Sequence, residues 1–281
     1  MKNGLKTTVL LAAMGGLILF IGSLFGATGL YIGLAISILL VGGSYWFSDR
    51  IAIAAARAQP VAEADMPEYH RVMHELTTAA GMPMPKLYAS PDPQPNAFAT
   101  GRNPHHAAVC VTQGLLNHLD WAEIRGVLAH ELGHVRNRDI LISSVAAAVA
   151  MFITFLARMA LWGAIFGGRG GGDRNPIGEI ALIILAPVAA ALLQMAISRS
   201  REYEADRTGA RLINDGEPLA KALEKLDRAS KVIPSIAKPE QAAAYIANPL
   251  AGRQMSFKSL FTTHPPMEER IKRLRAGEWR S

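Results

Sequence analysis

Cysteine and charge are both scarce in this chain. One cysteine, Cys110, stands among 281 residues, so no disulfide can close within it, as expected for a reducing compartment such as the cytoplasm. Charged residues make up 19%, below the roughly one quarter usual in soluble domains. Basic residues outnumber acidic ones, for a net charge of +6. No basic platform interleaved with aromatics accompanies that excess, so no nucleic-acid partner is expected. Solenoid-period repeats and long low-complexity runs are also missing.

The shortfall of charge is concentrated in four apolar stretches. Thr7–Phe25 and Gly29–Phe47 each run nineteen residues without a charge, the length a bilayer core requires. No small-residue cleavage site precedes a mature region and the second stretch follows at once, so the pair reads as two spans rather than a signal peptide. Ile140–Ala157 and Ile180–Ser198 are nearly as long. Arg158, Pro187 and Gln194 leave open whether these two cross a bilayer or form buried core helices. Lys2 and Lys6 precede the first stretch, Arg50 and Arg57 follow the second, Arg136 and Arg138 precede the third, and Arg199 and Arg201 follow the fourth. Basic flanks mark the cytoplasmic side. The N-terminus and the polar regions are therefore expected there, with the glycine-rich Gly167–Pro176 opposite; Arg169 and Arg174 in that loop weaken the bias without reversing it. The expected organisation is a membrane pair over 1–48, a polar region over 49–139, a second apolar pair over 140–198 and a second polar region over 199–281.

Periodicity within the polar regions predicts a mainly α fold with a small β-sheet. Helices are expected over Met66–Ala80, ending at Gly81, over Trp121–Asn137, over Glu217–Ser230 and over Met267–Arg275. Asp120 and Glu123 match a capping box at the start of the second. Lys86–Ala89 and Ala107–Thr112 read as strands joined through SPDPQPNAFATGRNP.

The chemistry is concentrated in VLAHELGHVRNRDI, residues 127–140. Residues four apart share a helical face, so His130 and His134 can aim ring nitrogens at one point, at the ~2.0–2.1 Å of a zinc–imidazole bond. Glu131 lies about 100° around the helix, poorly placed as a ligand and well placed beside a water on the metal. This is the H-E-x-x-H pattern of zinc hydrolysis. His70 and His74 are also four apart, but no glutamate follows the first, and they read as the polar face of an amphipathic helix.

A catalytic zinc needs a third protein ligand and an open position. The candidate stretch is SRSREYEADRTGA, residues 198–210. Glu202 and Asp206 share a helical face there: Glu202 as a ligand, Asp206 as acceptor for the outer N–H of a ligating histidine. On spacing alone both can instead pair with Arg199, Arg201 or Arg207. An antiparallel hairpin of 140–157 and 180–198 would bring the two active-site helices together at one membrane face.

These motifs, with PNAFATGR (95–102) and TTHPP near the end, resemble the gluzincin metalloproteases and, more narrowly, the HtpX family of bacterial integral-membrane proteases related to the CAAX prenyl proteases. The resemblance covers nearly the whole chain. It implies a gluzincin-type protease domain joined to membrane helices, with one Zn2+ held by His130, His134 and Glu202. Glu131 would be the catalytic base, in an active site on the cytoplasmic face of the inner membrane. It also implies quality control of misfolded or misassembled membrane proteins. The CAAX enzymes have more spans around an enclosed chamber, so a prenylated substrate is not expected. His264 is the candidate donor to the developing oxyanion, although Thr263 and the prolines also read as the start of the last helix. Asn96, Ala97 and Phe98 are candidates for holding an extended substrate by strand addition; the alternative is an ordinary strand with Phe98 in the core. Main-chain recognition would give broad specificity and a hazard of self-cleavage. A purely structural zinc would favour four closed ligands, and a transporter would carry its ligands within the spans.

Overall fold

The computed structural model describes residues 26–137, 139, 200–233 and 265–280, with isolated positions before 26. Helix α1, Gly26–Ala55, contains the second apolar stretch; the third and fourth, and nearly all of the first, lie outside the described residues. Among the described residues no helix is long and apolar enough to cross a membrane.

The chain turns after α1 through Arg57, whose φ is 52°, into the short strand β1, Gln59–Pro60. Helix α2, Pro67–Ala80, follows; Pro near its start suits a position with no intrahelical N–H bond to lose, and Gly81 (φ 62°) closes it in the left-handed conformation, donating its N–H to Thr77 O and Thr78 O. Strands β2 (Lys86–Ser90), β3 (Ala97–Gly101) and β4 (Ala107–Thr112) complete a sheet in the order β1-β2-β4-β3. β2 and β4 are parallel; β3 runs antiparallel to β4 with Ala99 opposite Val109. The predicted connection between two strands therefore contains a third, entered directly from a proline-rich turn.

Alternation along β4 assigns the two faces of the sheet. Val109 and Val111 enter the main core with Tyr69, Met73 and Leu76 of α2. Cys110 points to the other face, where it meets Phe98, Ala52 and Ile53 at the end of α1, and Ala56 just beyond it. Trp46 of α1 also lies beneath the Arg102 guanidinium, 4.8 Å from its ring centroid. Thr112 then caps a short helix that local pattern does not announce, α3 (Gln113–His118), by accepting from the Leu115 N–H.

Helix α4, Trp121–Asn137, is the axis of the fold: eleven of its seventeen residues are buried. The expected capping box starts it, with Glu123 N–H donating to Asp120 Oδ1 at 2.9 Å and Asp120 N–H to Glu123 Oε2 at 3.0 Å. Residues 200–213 form α5, followed by α6 (Glu217–Val232) and α7 (Met267–Arg275). Leu219, Leu223 and Leu226 of α6 enter the same core as Ile124, Val127 and Leu128 of α4, each such side chain contributing about 1.5–3 kcal/mol.

Two close helix crossings depend on glycine. A Cβ at Gly126 would lie 2.6 Å from Leu219 N, so α4 meets the first turn of α6 backbone against side chain-free backbone. At the second crossing a Cβ on Gly209 would lie 2.8 Å from His130 N, and one on Gly133 would lie 3.1 Å from Ala205 O. Gly126→Ala is expected to destabilise the protein by about 1–3 kcal/mol through overpacking, read as a lower Tm in detergent with metal content unchanged. An unaltered Tm would contradict the tight α4–α6 contact.

Candidate metal centre

The crossing of α4 and α5 brings three donors together. His130 and His134, one turn apart, hold their Nε2 atoms 3.2 Å from each other. Glu202 reaches them from α5, with Oε1 3.5 Å from His134 Nε2 and Oε2 3.7 Å from His130 Nε2. Ligands bound at 2.0–2.2 Å around a tetrahedral ion lie roughly 3.3 Å apart, so the three separations suit a single small cation. Among the described residues, these three form the group of ligand atoms able to hold a metal.

Charge argues the same way. Four carboxylates are buried around the donors, on Glu131, Asp139, Glu202 and Asp206. Two guanidiniums face them. Arg270, fully buried, forks onto Asp206 at 2.7 and 2.8 Å and reaches Glu202 Oε2 at 3.1 Å. Arg201 Nε stands 4.0 Å from Asp139 Oδ1. With both imidazoles neutral, as ligation requires, and Glu131 ionised, the four carboxylates exceed the two guanidiniums by two charges, which a divalent ion balances; unbalanced buried charge is costly.

The ionisation of each group follows from this setting. Burial pushes the Glu131 carboxyl up to about 7, with Glu202 adding to the rise and His134 opposing it. Burial also pulls both imidazoles down. For His130 it prevails. For His134 the contacts with Asp139 and Glu202 outweigh it and lift the ring to about 10, so the metal-free ring carries a proton. Asp206 resists the upward pull of burial because Arg270 holds its carboxyl below the usual range.

The outer nitrogens of both rings are engaged. His130 Nδ1 lies 3.0 Å from Asp206 Oδ1, the neighbour expected from the spacing of Glu202 and Asp206. His134 Nδ1 lies 3.2 Å from Asp139 Oδ2. Neither Asp139 nor the position of Arg270 emerged from the sequence reading. A carboxylate five residues after the second histidine was the available signal for Asp139, while Arg270 is separated from Asp206 by sixty-four residues and carries no local signal.

Glu131 faces the sheet. Its Oε2 accepts the Ala99 N–H at 2.7 Å, placing the strand β3 beside the donors. Asn96, Ala97 and Phe98 have buried side chains; Phe98 packs in the cluster with Ala58 and Cys110, the core alternative stated above. Asn96 N–H donates to Thr112 Oγ1, and its carbonyl accepts the Thr112 N–H. Because main-chain groups alternate along a strand, those of Ala99 leave on the side away from β4, and those of Ala97 share that side. His264 lies outside the described residues.

Comparison with known proteins matches this geometry. The model of peptidase family M48 matches residues 63–278. The chain is 52% identical to a protease HtpX homolog of Syntrophobacter fumaroxidans over 283 residues, covering 98% of this chain and 100% of the relative. It is 49% identical to a protease HtpX homolog of Desulfatibacillum aliphaticivorans, covering 98% and 89%. Among solved structures, Ste24p of S. mikatae shares the fold with a TM-score of 0.52 at 20% identity, over 97% of this chain and 65% of that one. The matched family, the level of identity to the HtpX homologues and the ligand triangle agree: the chain belongs to peptidase family M48, in its HtpX branch, and is a metalloprotease.

Proposed function

We propose that the chain is a membrane-bound zinc endopeptidase in which His130, His134 and Glu202 hold the ion and Glu131 moves the proton. The observation that carries this reading is the donor triangle at 3.2, 3.5 and 3.7 Å with the Glu131 carboxylate beside it. Zinc bound there would polarise a peptide carbonyl and acidify a water. Glu131, buried and close to neutral in its pKa, would accept a proton from the attacking water and return it to the leaving amine. Asp206 holds His130 in the tautomer that leaves Nε2 free for the metal, and Arg270 holds Asp206. His264 supplies a hydrogen bond to the oxyanion.

The substrate is an extended polypeptide lying along β3. Asn96, Ala97 and Phe98 act through this strand: their side chains fix it in the core, while the main chain of Ala97 and Ala99 faces the donors' side. Recognition by main chain admits many sequences, as clearing of misfolded or misassembled membrane proteins requires, and it exposes the enzyme to cleavage by its own copies. The four apolar stretches anchor the chain in the bacterial inner membrane, with the basic flanks holding the site at the cytoplasmic face.

Chelation tests the reading. Purified full chain in detergent is expected to cleave an unfolded protein, to stop when stripped of metal, and to recover with one equivalent of zinc. Undiminished cleavage by the stripped protein would overturn it.

A further inference from the structure

Each imidazole at the centre has two nitrogens, and only Nε2 points at the shared site. The other nitrogen must then carry the hydrogen, and a fixed acceptor is needed to keep it there. Asp206 meets that need for His130. We propose that Asp139 meets it for His134, as the positioning residue of the second ligand, with Arg201 as its counter-charge. The proposal rests on the zinc reading above.

Two observations carry it. Asp139 Oδ2 lies 3.2 Å from His134 Nδ1, and the carboxylate is buried. Arg201 is largely buried, stands 4.0 Å from Asp139 Oδ1 and precedes the ligand Glu202. Its Nη1 has no hydrogen-bond partner among the described residues, so the guanidinium serves Asp139 by charge rather than by a tight fork. The resulting layout is paired: His130 is backed by Asp206 and Arg270, His134 by Asp139 and Arg201. Helix α5 supplies Arg201, Glu202 and Asp206, so its first two turns provide a ligand together with part of each backing pair.

The test measures metal rather than turnover. Full chain purified in detergent, stripped and titrated with zinc against a chromophoric chelator, is compared with Asp139→Asn and Asp139→Ala. Asp139→Ala is expected to weaken zinc by about 10–100-fold. Asp139→Asn, nearly the same shape and still able to accept the Nδ1 hydrogen, is expected to weaken it less. Cobalt substituted for zinc should show shifted visible bands in Asp139→Ala. A zinc Kd within twofold of wild type in Asp139→Ala overturns the proposal. So does a lowered Tm of both stripped variants with no change in their Kd, the signature of a purely structural ion pair. Wild-type chain that binds no zinc overturns the metal assignment as well, a result distinct from equal binding by wild type and variant.

Discussion

Glu131→Gln is expected to bind zinc as wild type does and to lose hydrolysis of an unfolded protein by about 10²–10⁴-fold, the range that a positioned proton acceptor supplies. The substitution keeps the shape of the side chain, and an amide oxygen can still accept the Ala99 N–H that Glu131 Oε2 accepts at 2.7 Å. It removes the ability to take a proton from water at neutral pH. The three donors are untouched, so metal content and melting behaviour should follow wild type. Zinc analysis beside a cleavage assay checks both halves. A variant that cleaves at the wild-type rate would remove Glu131 from the mechanism; a variant that loses both zinc and cleavage would show that the glutamate serves the site's structure.

Arg270→Met should have the largest effect on stability. The guanidinium is fully buried and shared between Asp206, at 2.7 and 2.8 Å, and Glu202, at 3.1 Å. Methionine fills much of the volume but leaves two buried carboxylates without their cation. Breaking a buried ion pair from one side costs about 3–5 kcal/mol. The loss should be greater in stripped protein than in zinc-loaded protein, because the ion replaces part of the missing positive charge and binding to the folded state adds stability. Thermal unfolding of both forms measures this difference. Equal losses with and without zinc would mean that Arg270 acts only as a packing residue.

How much of this was readable in advance depended on how local each signal is. Helix Met267–Arg275 matches its sequence boundaries, and Trp121 opens its helix where the capping box places it, because capping, periodicity and a proline before the last helix act within a few residues. The histidine pair needed only a helix. Glu202 could be nominated because its spacing to Asp206 repeats the one-turn logic, though local pattern alone left it free to pair with an arginine. β3 was obscured by the prolines around it, and α3 by its brevity; Thr112 is legible as its cap only once β4 has ended there. Arg270 carries no local signal, and its carboxylate partners are defined only by the meeting of α5 and α7. Phe98 shows the same limit: burial in the core is one of its two readings, but the face it presents to Cys110 depends on the sheet register.

The contact at Gly209 bears on how this site can vary. Where α5 passes the first histidine, main chain rests on main chain, so the gap between imidazoles and carboxylate is gauged by the thickness of the polypeptide itself. Repacking the leucines elsewhere can loosen or stiffen the body without altering that gauge. A methyl group at residue 209 is inserted directly into it, and the ion would register the displacement before the rest of the molecule did.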